Sequence, residues 1–234
     1  MPDESASISV ADLLAMIDHT NLKPEASAAE MRRLCDEART HRFAAVCVNP
    51  CRVDLAAEVL GDCDVRVASV AGFPLGASTT GVKIAEAVQA IEHGASEIDV
   101  VQNIGWAREG RFDDIRDELI RLVDAIDGRA CLKVIIECCL LDDAQKRACC
   151  RAAAEAGADF VKTSTGFAAS GATVEDVRLM REVVGPDLGV KAAGGIGSFE
   201  MAVAMVRGGA TRIGASRSVE LLSGAPHDGP GHRL

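Results

Sequence analysis

The 234-residue chain has no tyrosine and a single tryptophan, so no chemical step in it can depend on a phenol. It has no surplus of positive charge either. Twenty-five Lys and Arg against 35 Asp and Glu leave a net charge of −10, which argues against general nucleic-acid binding. A phosphate-bearing ligand would have to be attracted locally, against the field of the whole molecule. No hydrophobic run is long enough to cross a bilayer. The most apolar stretch, 131–141, is interrupted by Lys133 and Glu137, so no membrane association is expected. The opening MPDESASISV has no basic start followed by an apolar stretch, so no export signal is expected. Nine cysteines occur, including Cys47 and Cys51 and the adjacent pairs Cys138-Cys139 and Cys149-Cys150, but no paired CxxC zinc pattern. They read as reduced, buried small hydrophobes of a cytoplasmic protein, with no metal site. No GxGxxG follows a strand (GGIGSFE breaks the spacing) and no GxxxxGK[ST] occurs, so neither a dinucleotide nor a nucleotide cofactor is expected.

What is present is a regular alternation. Apolar runs at 16–19, 44–48, 65–71, 97–101, 131–137, 159–163, 189–192 and 211–214 read as strands, most of them continuous, as parallel strands buried on both faces are. Helical patterns separate them. Ser27 with Glu30 makes a capping box before Met31, Leu34 and Ala38, Thr173 with Asp176 repeats it, Ser198 can cap a further helix, and Asn49-Pro50 suits a helix start. The joint Gly-Ala recurs at Gly94-Ala95, Gly157-Ala158 and Gly209-Ala210, each time between a helix and a strand, which suggests a repeated βα unit. Eight such units predict a single α/β TIM (β/α)8 barrel over 10–222, with terminal tails at 1–9 and 223–234; an open doubly wound sheet is the alternative.

Polar residues punctuate the strands. Asp18, Asp99, Lys133, Glu137, Lys162 and Lys191 are expected at the strand C-termini, where the sites of barrel enzymes lie. Gathered there, they would compensate one another's charge, since burial of each alone is costly. Lys162, in FVKTSTGF, becomes a carbonyl nucleophile if desolvation or a neighbouring cation lowers its pKa, and Lys191, in GVKAAGGIGS, is placed to be that cation. A pair of phosphate-binding lysines fits the pattern equally well. Gly194-Gly195 and Gly214-Ala215-Ser216 follow the seventh and eighth strands, a frequent phosphate site of this fold. Cys47, ending the second strand, either borders the mouth or is an inert buried thiol.

The segments LAMIDHTNLKP, AAVCVNP, AGFPLG, SEIDVVQNIG, LKVIIE, FVKTSTGF, VKAAGGI and RIGAS resemble bacterial deoxyribose-phosphate aldolases over residues 14–219. The resemblance implies a class I aldolase that cleaves 2-deoxy-D-ribose 5-phosphate through a Schiff base, without a cofactor or a metal. It implies Lys162 as the Schiff-base lysine, Lys191 as its activating neighbour and Asp99 as the proton-relay acid, with phosphate contacts at Thr165, Gly166, Gly194, Gly195 and Ser216. On that reading Asp18 balances Lys191, and Lys133 and Glu137 complete the network or form a supporting ion pair. Phe167 and Arg217 depart from the family pattern and affect the phosphate contacts. Another lysine-dependent barrel aldolase and a catalytically silent phosphate-binding barrel remain as alternatives. The partner expected is a small phosphorylated sugar or aldehyde, and a homo-oligomer is compatible with the sequence.

Overall fold

A computed structural model describes residues 9–225. Eight parallel strands close into a barrel in chain order: β1 (Ile17–Asn21), β2 (Ala45–Val48), β3 (Arg66–Ala71), β4 (Glu97–Val101), β5 (Cys131–Ile135), β6 (Phe160–Lys162), β7 (Gly189–Ala193) and β8 (Arg212–Ala215). The TIM barrel expected from sequence is therefore present, and β1 pairs with both β2 and β8 to close it.

The surrounding helices are α1 (Val10–Leu14), α2 (Ala28–His41), α3 (Val53–Leu60), α4 (Thr80–Glu92), α5 (Ile104–Arg108), α6 (Phe112–Ile126), α7 (Asp143–Glu155), α8 (Val174–Val184), α9 (Phe199–Arg207) and α10 (Ser218–Leu221). Their starts follow the capping signals. Ser27 accepts from the Glu30 amide while the Glu30 carboxylate accepts from the Ser27 amide, and Met31, Leu34, Cys35 and Ala38 form the buried face that follows. Thr173 and Ser198 cap α8 and α9 through the amides of Asp176 and Met201. Asn49-Pro50 instead opens a 3-10 turn, Pro50–Arg52, without a side-chain cap, and α3 begins only at Val53. The three Gly-Ala joints have glycine φ values of 106°, 84° and 111° at Gly94, Gly157 and Gly209. In each, the alanine amide donates back to a carbonyl five residues earlier, the closure that a left-handed glycine permits.

The chain ends differ from the sequence expectation in detail. Ser9 is the N-cap of α1, and a 3-10 turn at Leu222–Gly224 follows α10. The remaining tail positions, 1–8 and 226–234, lie outside the described residues.

The main hydrophobic core lies between the barrel and the helices, where Val46, Val67, Val100, Val134, Val161 and Val190 point outward. Inside the barrel the two sides differ. On β2 and β3, Ala45, Cys47, Ala68 and Val70 form a small apolar cluster with Leu22. From β4 round to β1 the inward positions include Glu97, Asp99, Lys133, Lys162, Lys191, Arg212 and Asp18, joined by strand register as Asp99 with Lys133, Lys162 with Lys191, and Lys191 with Arg212. Apolar layers normally fill this space, so an ionic interior is the main departure of this barrel.

Candidate active site

The strands place these charges lower than the sequence suggested. Asp18, Asp99, Lys133 and Lys191 sit within their strands, fully buried, rather than at the strand ends. Their short-period alternation along the strands puts them in the barrel interior, and only Lys162 ends its strand. Glu137 lies beyond β5 in a left-handed conformation, φ 56°.

One carboxylate organises the cluster. Asp99 Oδ2 accepts from Lys162 Nζ and from Lys191 Nζ, both at 2.7 Å, and Asp99 Oδ1 accepts from Lys133 Nζ at 2.8 Å. Lys191 also donates to Asp18. Lys133 lies 2.6 Å from Glu97, and Arg212 joins Glu97 at 2.7 Å and Asp18 at 3.2 Å. Glu97 and Arg212 open their strands, so the pattern of polar residues at strand C-termini does not mark them. Glu97 stands two residues before Asp99 on the same strand, so strand alternation was the signal that could have found it.

Burial sets the titration of the group, and the charges then modify it. Burial pushes the Asp99 carboxyl up, but Lys133, Lys162 and Lys191 together outweigh this and hold it well below the usual carboxylate range. Asp18 is likewise lowered, by Lys191, Lys133 and Arg212 against its burial. Lys191 is pulled down by burial but raised more by Asp18 and Asp99, and Lys133 ends above the ordinary lysine value for the same kind of reason. Lys162 behaves differently. Burial lowers it, Asp99 raises it and Lys191 lowers it again, and the outcome is a pKa below the ordinary lysine value. The charge count agrees. Among the buried groups, Lys133, Lys162, Lys191 and Arg212 share Asp18, Glu97 and Asp99, with the largely exposed Arg66 also reaching Glu97, so loss of the Lys162 proton leaves three buried cations facing three buried anions. Desolvation therefore comes before the neighbouring cation as the cause of the Lys162 shift.

Lys162 is also the network member that reaches open space. It lines a cavity of about 640 Å³ at the C-terminal mouth of the barrel, which Thr165, Gly166, Gly194, Gly195 and Ser216 line as well. Asp18, Asp99, Lys133 and Lys191 lie beneath it. Lys191 faces two carboxylates rather than the cavity, which disfavours a pair of phosphate-binding lysines. The loops after β6 and β7 touch: a Cβ on Gly171 would fall 2.1 Å from the Gly194 carbonyl oxygen, and one on Gly194 would fall 3.0 Å from the Gly171 Cα. Only glycine permits that approach and the φ of 87° at Gly194.

Glu137 does not pair with Lys133. Its carboxylate accepts from the Thr165 amide at 3.3 Å and from the Thr165 hydroxyl at 2.5 Å, so it braces the loop after β6. Cys47 faces the barrel interior, fully buried, and burial pushes its thiol up. Phe167 lies at the cavity edge, half exposed, with its ring edge against Phe73 at 5.3 Å. The rim holds cations, Lys23, Arg33 and Arg217, interleaved with Glu30, Glu37 and Glu220.

The fold and this cavity define a TIM-barrel enzyme with its site at the C-terminal face of the strands. The chain belongs to the DeoC/LacD family of aldolases, whose family profile matches residues 13–225. It is 54% identical over 218 residues to the deoxyribose-phosphate aldolase of Enterococcus faecalis, covering 93% of this chain and 99% of that one. It is 55% identical over 217 residues to the deoxyribose-phosphate aldolase of Thermococcus gammatolerans, covering 92% of this chain and 96% of that one. Among solved structures, the tetrameric deoxyribose phosphate aldolase of Aeropyrum pernix superposes with a TM-score of 0.83 at 36% identity, over 91% of this chain and 90% of that one. No helix among the described residues is long and apolar enough to cross a membrane.

Proposed function

We propose that this chain reversibly cleaves 2-deoxy-D-ribose 5-phosphate to D-glyceraldehyde 3-phosphate and acetaldehyde through an imine on Lys162. The observation that carries the reading is that Lys162 both reaches the cavity and titrates below an ordinary lysine. Its neutral amine attacks C1 of the open-chain sugar, and loss of water from the carbinolamine leaves a protonated imine. The C2–C3 bond then breaks as the C3 hydroxyl gives up its proton, and the electron pair flows into the imine to form an enamine. Glyceraldehyde 3-phosphate leaves. Protonation of the enamine carbon and hydrolysis of the imine release acetaldehyde and restore Lys162.

Asp99, 2.7 Å from Lys162 Nζ, is the proton relay at the carbinolamine and enamine stages. Its low pKa makes it a willing donor once protonated and a weak base at rest. Lys191 keeps the site positive beneath Lys162, and Asp18, with Lys133 behind it, balances that charge. The phosphate sits against Thr165, Gly166, Gly194, Gly195 and Ser216, near the N-terminus of α9, where backbone N–H groups favour an anion. The imine supplies the electrophile, so the reaction proceeds without a metal. All nine cysteines are unpaired, which supports a cytoplasmic setting. The tetrameric Aeropyrum relative supports a homo-oligomer.

Two measurements test the reading. A coupled assay should detect glyceraldehyde 3-phosphate released from deoxyribose 5-phosphate, undiminished by strong chelators. Borohydride with acetaldehyde should leave an ethyl group on Lys162; an adduct mapped mainly to Lys191 or Lys133 would overturn the assignment.

A further inference from the structure

The turn after β8 carries Ser216 and Arg217 into the cavity, and nothing in the lysine cluster holds it. Its anchor lies on the other side of the barrel seam. His19, on β1 directly across from Ala215 in the strand register, is 3% exposed and has a hydrogen-bond partner at each ring nitrogen. Nδ1 is 3.0 Å from Ser218 Oγ and Nε2 is 2.8 Å from Glu37 Oε2. Ser218 is fully buried, and its hydroxyl also donates to the Ala215 carbonyl at 3.0 Å. The residues on either side of Ser216-Arg217 are thus tied together, and the tie is secured to β1. Glu37 accepts in turn from Arg33 Nε at 2.6 Å, which fixes the far side of the imidazole to α2. Phe43 meets the ring edge-on at 5.4 Å, leaving it little freedom to rotate.

We infer that His19 is a positioning residue that holds the β8 turn in its anion-binding form through Ser218, so that it governs recognition of the substrate phosphate and not the chemistry at Lys162. The inference rests on the phosphate placement proposed above. His19 is absent from the ionic cluster around Asp99, and none of the hydrogen bonds of Lys162 involves it. The Ser218 side of the ring carries the function. The Glu37 side holds the ring in place. A preorganised turn binds the anion without first being ordered, and that advantage appears in KM for phosphorylated substrate alone.

The two ring nitrogens can be separated by substitution. The amide nitrogen of asparagine falls near the His Nδ1 position and that of glutamine near Nε2, so His19→Asn keeps the Ser218 bond and His19→Gln keeps the Glu37 bond. His19→Gln should raise KM for deoxyribose 5-phosphate by about three- to tenfold, the effect of one lost hydrogen bond, and Ser218→Ala, which also loses the bond to the Ala215 carbonyl, by at least as much. Cleavage of unphosphorylated deoxyribose and the borohydride trapping of acetaldehyde should stay at the parental level. His19→Asn should retain most of the parental KM. The double variant His19→Gln, Ser218→Ala should be no worse than Ser218→Ala alone, because that variant has already lost the bond to His19. Calorimetric binding of inorganic phosphate should weaken in the same order, a readout that needs no turnover. Asn and Gln variants that behave alike, additive effects in the double variant, or equal losses on both sugars would overturn the assignment. Failure of the parent itself to cleave deoxyribose 5-phosphate would instead sink the proposed reaction, and the inorganic-phosphate series would still decide the role of His19.

Discussion

Removal of the Lys191 charge is the sharpest test of how Lys162 is activated. Lys191 and Lys162 each donate to the same oxygen of Asp99 at 2.7 Å, so their nitrogens are at most about 5.4 Å apart. Two unit charges at that separation repel by about 3 kcal/mol at an effective dielectric of 20, equivalent to about two pKa units on Lys162. In Lys191→Met that repulsion vanishes and Asp99, freed of one of its three ammonium partners, pulls harder on the Lys162 proton. Both changes raise the Lys162 pKa. Burial, the larger cause of its lowering, remains. The neutral amine population therefore falls by up to about a hundredfold at neutral pH and recovers as pH rises. The assay is kcat/KM against pH for Lys191→Met and Lys191→Gln, which lose the charge but differ in polarity, with Lys191→Arg restoring it. Asp18 also loses a buried partner, so a melting curve should accompany each variant, with a loss of about 3–5 kcal/mol tolerated. A parental pH profile at merely reduced rate in both neutral variants would refute the reasoning, and burial alone would then set the Lys162 pKa.

Ser216→Asp puts a negative charge at the proposed anion site and should raise KM for deoxyribose 5-phosphate far more than for free deoxyribose; equal effects would place the phosphate elsewhere. Gly171→Ala drives a Cβ into the Gly194 carbonyl, so the two loops must part, with an expected loss of about 1–3 kcal/mol in a denaturant titration and a raised KM; unchanged values would mean the loops yield freely. Because Asp18 and Asp99 have lowered pKa values, the stability they contribute is complete above the usual carboxylate range and drains only as pH falls through their lower folded values. Melting of the parent should accordingly show a steep acid loss below about pH 4 that Asp99→Asn lessens, and an equally steep loss in both would exclude these groups as its source. Cys47→Met should lose activity in concentrated acetaldehyde as fast as the parent, because Cys47 is fully buried and burial pushes its thiol up, away from the reactive thiolate. Slower inactivation of the variant would show that the thiol is reached after all.

The architecture was legible because its signals are local. Apolar runs, capping pairs and the three Gly-Ala joints each announce an element or its boundary, and a barrel follows from repeating them eight times. Lys162 was legible for a related reason, since a lysine ending an apolar strand is exceptional in one dimension. What the sequence hid is lateral. Glu97 and Arg212 are 115 positions apart, yet their side chains meet at 2.7 Å, because barrel closure brings strands to one axis at fixed heights. The pairing of Glu137 with Thr165 rather than Lys133 depends on a left-handed residue after β5, which nothing in the local pattern foretells for a glutamate. The tether from His19 to Ser218 spans 199 positions and crosses the seam where the barrel closes.

The ionic interior also explains why the nucleophile is where it is. A lysine buried alone would lose its proton but would have no group to return one, and a lysine paired singly with a carboxylate would keep its proton. Here Asp99 is already held by Lys133 and Lys191, so its affinity for a third cation is weakened while it stays within 2.7 Å of Lys162 Nζ. The carboxylate can therefore accept a proton from the imine-forming amine and return it without trapping the amine as ammonium. Asp99→Asn should separate these functions. The buried cluster would then hold an uncompensated positive charge, so Lys162 should titrate still lower and become more readily neutral, yet turnover should collapse because the relay is gone. Trapping of acetaldehyde, which also passes through a carbinolamine, should slow yet still mark Lys162, while cleavage falls by a factor of about 10² or more, the size expected for the loss of a proton-transfer group. No adduct on Lys162 after prolonged trapping would show that Asp99 serves only to place Lys162, and cleavage near the parental rate would end the relay role.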